Sequence, residues 1–96
     1  MNINLTALIK STEGNAEAMK ALLLELLTES RKEKACIQYD LHQDQENRNI
    51  FIFHEIWESQ EGLDLHNAQA HIARFVADSA AIIDGPASLH KTEKVA

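Results

Sequence analysis

A single cysteine, Cys36, excludes an internal disulfide in this 96-residue chain, and a reducing cytoplasm is the expected setting. With no neighbour placed to lower its pKa, Cys36 reads as a small buried apolar residue at a strand start. Glycine is scarce too. Gly14, Gly62 and Gly85 stand alone, so there is no glycine-rich loop to cradle a phosphate, and no GxSxG nucleophile elbow. Basic residues are outnumbered fifteen to nine, which leaves a net charge of −6. Nucleic acids and anionic membranes need a basic patch, so neither is an expected partner. Apolar runs such as Ala21–Leu24 are far too short to span a bilayer. The N-terminal MNINLTALIKS has no basic segment ahead of an apolar run and is not expected to be a signal peptide.

What remains is the composition of one ordinary globular domain over residues 1–96, 45% hydrophobic and 25% charged. From Ile3 to Ile9 apolar residues alternate, the strand signature. Asn15 is placed to cap a helix running to about Arg31, with Met19, Leu22, Leu23, Leu26, Leu27 and Ser30 on one stripe and Leu24 off it. Arg31-Lys32-Glu33-Lys34 reads as a solvated, charged connector. A second strand is expected over Cys36–Asp44, and the polar Gln45–Asn49 reads as a hairpin loop. A third strand follows, Ile50–Trp57, apolar on both faces. Phe51, Phe53, Glu55 and Trp57 point one way, and Ile50, Ile52, His54 and Ile56 the other. A short helix should open at Ser59, and a longer one should run from about Ala70 to Ile83, where Asp84-Gly85-Pro86 stops it. Ala87–Val95 is the weakest segment, a polar final strand.

The order strand, helix, strand, strand, helices, strand is that of an α+β fold, the ferredoxin-like split βαβ. It predicts a four-stranded antiparallel sheet with its helices on one side. Both faces of the third strand are apolar, and the chain has helices for only one. A second copy is therefore expected to cover the other, giving a homodimer with His54 at the subunit contact.

The residues suited to chemistry gather at the end of that third strand and beyond it. His66 and His71 titrate near neutrality and suit acid–base work. Their spacing of five is poor for a helical metal pair, and no third ligand is evident nearby, so no metal is expected. Glu55, between Phe53 and Trp57 on one strand face, is either a carboxylate of raised pKa or a structural anchor. Trp57 is core, with an indole N–H able to reach a ligand oxygen.

The pattern Cys36-xx-Tyr39-x-Leu41, then Phe51-xxx-Glu55-x-Trp57-Glu58-Ser59, then Leu63-xx-His66-xxxx-His71-xxx-Phe75, resembles the antibiotic biosynthesis monooxygenase family over roughly residues 3–95. The resemblance implies a dimeric α+β barrel, with an apolar cavity between sheet and helices in each subunit. It also implies oxidation of a quinol or phenol by molecular oxygen without metal, haem or flavin. His71 or His66 would be the base and Trp57 a donor. Phe53, Trp57 and Leu63 would line the substrate, with Tyr39, Phe51 and Phe75 as further walls and Glu55 among them. Ala7 stands where the haem-degrading branch carries Asn, and Val76 where it carries the iron-ligating His, so haem is not expected. Positions near Phe53 and Leu63 that are Asn and Tyr in the aromatic oxygenases are apolar here. Two other readings compete: an isomerase or tautomerase of a small carbonyl compound, and a non-enzymatic dimeric domain that binds a small apolar molecule.

Overall fold

The computed structural model describes residues 1–96 as seven elements. They are β1 (Ile3–Lys10), α1 (Ala16–Ser30), β2 (Cys36–Gln43), β3 (Ile50–Trp57), α2 (Gln60–Asn67), α3 (Ala70–Ser79) and β4 (Ser88–Thr92). The four strands form one antiparallel sheet in the order β2-β3-β1-β4. This is the α+β ferredoxin-like arrangement expected from the order of elements.

The register explains the core. Ile3, Leu5, Ala7 and Ile9 of β1 lie opposite Trp57, Glu55, Phe53 and Phe51 of β3. On the other side of β3, Tyr39 and Leu41 of β2 lie opposite Glu55 and Phe53. Side chains alternate across a strand, so these residues share one face. Met19, Leu23 and Leu26 of α1 and Leu63 of α2 pack onto that face, with Phe51, Phe53 and Trp57 fully buried beneath them. Each fully buried Phe or Leu contributes roughly 1.5–3 kcal/mol by leaving water. Leu24, off the α1 stripe, is exposed.

The caps divide as chemistry dictates. Ser59 caps α2, its Oγ accepting the Gly62 N–H at 3.1 Å. Asn15 precedes α1 but makes no side-chain cap; its amide donates to Thr12 Oγ1 at 2.8 Å. The final helix ends at Ser79, four residues short of the expected Ile83. The chain is drawn out of the helix by the end of β1. Thr12 N–H donates to Ile82 O at 2.8 Å, Asp84 N–H donates to Lys10 O at 2.7 Å, and Ser11 bridges Ile83. β4 is also shorter than expected, and all five of its residues are exposed.

The dimeric α+β barrel expected above is overturned by the sheet itself, which is open and not closed into a barrel. β2 and β4 are its two edges, each hydrogen-bonded to one neighbour only. Four strands are too few for twist and tilt to bring those edges together, since small closed barrels need about eight. The face away from the helices carries Ile50, Ile52 and Ile56, half-buried, and His54, exposed with its ring 5.1 Å from that of His42.

Candidate functional site

Three elements meet at one end of the sheet: the turn after α1, the last turn of α2 and the first turn of α3. From them Glu33, His66 and His71 converge. His66 Nδ1 lies 2.7 Å and His71 Nε2 2.8 Å from the same carboxylate oxygen, Glu33 Oε2. The side chains are 11%, 4% and 12% exposed for Glu33, His66 and His71. Glu33 is therefore not part of a solvated connector, as its charged neighbours suggested. Arg31 and Lys32 do face solvent, pairing with Asp40 and Glu29.

An ionised carboxylate can only accept, so both imidazoles donate to it. That assigns the tautomers of the neutral rings: His66 carries its proton on Nδ1 and His71 on Nε2. The remaining nitrogens, His66 Nε2 and His71 Nδ1, keep a lone pair. Burial pushes the His66 pKa below the ordinary imidazole value, against the opposing pull of Glu33. His66 is thus neutral at pH 7.

Behind the pair lies an aromatic wall. The His66 ring sits 4.3 Å from Trp57 and 5.6 Å from Tyr39, centroid to centroid. Tyr39 packs on Phe53 at 4.6 Å. Burial, then the Glu55 carboxylate, drives the Tyr39 phenol well above its usual range, so it stays protonated. Trp57 Nε1–H donates to Glu55 Oε1 at 2.9 Å, deep in the core. The indole donor is therefore used internally, by a residue two positions back on the same strand face. Glu55 is 5% exposed, and burial raises its pKa to about 7. The Trp57 bond pulls the other way, and the Glu33 charge adds to the rise. Cys36 is half-buried, and burial raises its pKa, so it is no activated thiol.

The apolar hollow expected beside Trp57 is filled. Trp57 has no exposed surface and Phe53 almost none, so no space the size of a water adjoins the indole. A small cavity opens elsewhere, between α1 and α3, where Leu22, Leu26, Glu29, Arg74 and Phe75 surround His71. Its volume is about 20 Å³, room for roughly one water. The structure thus brings His66, His71, Trp57 and Tyr39 together, and places Leu63 in the core beneath α2. Phe75 stands beside His71 at the outer cavity. Glu33 was missed because its partners lie 33 and 38 residues further along the chain. No local pattern marks one charge of that run as turned inward. His66, His71 and Glu33 are also the side chains whose donor set could hold a metal ion.

The fold and this arrangement are those of a known group. Residues 3–78 match the Antibiotic biosynthesis monooxygenase family, and the chain belongs to it. Its fold and membership go with a general role of monooxygenase or oxidoreductase type. The chain is 31% identical over 91 residues to YcnE of Bacillus subtilis, a protein provisionally described as a monooxygenase; the match covers 95% of this chain and 96% of that one. It is 32% identical over 88 residues to the uncharacterized protein sll1783 of Synechocystis, covering 92% of this chain but only 59% of that longer protein. Among solved structures, PA3566 from Pseudomonas aeruginosa superposes with a TM-score of 0.92 at 32% identity, over 99% of this chain and 95% of the other.

Proposed function

We propose that this protein oxidises a quinol or related phenol with molecular oxygen, the substrate supplying the electrons and no organic cofactor being tightly bound. The observation that carries this reading is the pair of imidazoles held on one carboxylate, in a chain of the monooxygenase family. His71 is the base. It is the member of the pair at the cavity between α1 and α3, with Phe75 beside it to meet an aromatic ring. His71 Nδ1 takes the phenolic proton, and Glu33 stabilises the imidazolium that forms, as a carboxylate behind a catalytic His does. The phenolate is electron-rich and reduces oxygen. One oxygen atom joins a ring carbon and the other leaves as water, so quinol plus oxygen becomes hydroxyquinone plus water.

A cavity of about 20 Å³ admits no quinol, so this reading requires α3 to move away from α1. α3 is the element suited to that movement, because Ser79 is its single buried residue. The cytoplasm, inferred from the lone cysteine, is part of the same proposal.

Oxygen uptake with a quinol series tests it. His71→Ala should lose more than about 100-fold in rate, the usual contribution of a general base. An unchanged rate would remove His71 from the mechanism. The same imidazoles could instead shuttle protons on a carbonyl compound; turnover that persists without oxygen would replace oxidation with isomerisation.

A further inference from the structure

We propose that Glu33, His66 and His71 form a binding site for a divalent transition-metal ion of the zinc type. Two imidazole nitrogens and a carboxylate oxygen are a recurrent donor set for such ions, with three protein ligands and one position left open. Here the three donor atoms lie within 4.8 Å of one another. They come from three separate elements, so no local helical spacing was available to announce them.

The geometry has a focus. A carboxylate serving only as a latch has two oxygens to offer, yet both rings address Oε2 alone, at 2.7 and 2.8 Å. The three donor atoms are thereby drawn into one cluster, and an ion would enter among them by displacing the two ring protons that now bridge to Oε2. Bonds of about 2.0–2.2 Å to each donor would require these separations to widen by about half an ångström. Glu33 can yield that much, because it stands in the turn between α1 and β2, outside any helix or strand. The imidazole nitrogens lie within 4.8 Å of each other and would have to close to about 3.4 Å around a tetrahedral ion, so the ends of α2 and α3 that hold them would shift as well. Ligation requires deprotonated donors, so an ion there would meet one carboxylate and two imidazole lone pairs, in a chain of net charge −6 that favours cations. An ion there would occupy His71 Nε2 and force the remaining ring proton onto Nδ1. It would thereby silence the base proposed above, so metal binding and base catalysis compete for one side chain. Binding can be read without any substrate.

Cobalt(II) is the probe, since its visible absorption reports a low-coordinate nitrogen–oxygen site, with zinc(II) as competitor. The full chain, stripped with chelator, is titrated in a non-coordinating buffer. One equivalent of cobalt should develop the absorption, and one equivalent of zinc should abolish it. His71→Ala and Glu33→Gln should each weaken binding by more than about tenfold. Their far-ultraviolet circular dichroism should match the parent, and zinc should raise the parent's thermal midpoint but not theirs. His54→Ala should bind as the parent does, because His54 belongs to the exposed pair with His42 on the opposite face. No stoichiometric absorption in the parent, absorption that survives both site variants, or absorption lost with His54 would each overturn the proposal.

Discussion

At the scale of single residues, the site turns on a glutamate that looks ordinary in the sequence. Glu33 accepts from two nearly buried imidazoles. Removing a shared acceptor leaves buried donors without partners, which costs about 1–3 kcal/mol for each group so stranded. Glu33→Ala is therefore expected to lower the free energy of unfolding by about 2–6 kcal/mol, and Glu33→Gln, which keeps an amide oxygen, by less. Urea unfolding at pH 7 measures both; an alanine variant as stable as the parent would mean that the rings find other partners. His66, His71 and Trp57 were legible because imidazoles and a lone indole are rare and chemically conspicuous. Glu33 was not, since inward and outward carboxylates read alike until tertiary structure separates them. Glu55 was half legible. Strand alternation put it beside Trp57 on the apolar face, while the choice between anchor and titrating group waited on the indole bond at 2.9 Å.

At the scale of elements, local signals worked where local forces decide. β3 is read directly from its run of β-branched and aromatic residues, and α2 from the serine that caps it. The end of α3 was misjudged because the pull on Ile82–Asp84 comes from the far end of β1, seventy or more residues back. One close approach between elements also decides a residue type. A Cβ on Gly62 would collide with the Cβ of Ala35, so α2 lies against the turn that carries Glu33 only because residue 62 is glycine. Gly62→Ala should therefore destabilise the fold despite alanine's higher helix propensity, by about 1–3 kcal/mol of overpacking. Ala35→Gly removes the colliding methyl, so the double variant should recover most of that loss. A double-mutant cycle by thermal or urea unfolding reads the coupling. Purely additive effects would show that α2 accommodates the methyl by shifting.

For the whole molecule, two buried titrating groups set opposing dependences on pH. Glu55, with a pKa of about 7 in the fold against 4.5 when exposed, binds its proton more tightly folded than unfolded. Stability from this group is fully present below pH 4.5 and declines as pH rises to about 7, where the loss levels off near 3 kcal/mol in order of magnitude. His66 works the other way. Its pKa is lowered by folding, so the unfolded chain binds more protons below the ordinary imidazole value of 6.5, and acid destabilises the fold. The two partly cancel in mild acid, which is why the parent's pH profile alone would conceal either one. Glu55→Gln separates them. The amide oxygen still accepts from Trp57 Nε1–H, and the buried charge is gone. Urea unfolding of parent and variant at pH 5, 6, 7 and 8 should give a difference that grows in the variant's favour with pH, most steeply between 5 and 7, and is flat beyond. The variant alone should retain the acid weakening due to His66. A difference that stays constant across the series would mean that Glu55 is ionised throughout, its charge held by groups other than the indole.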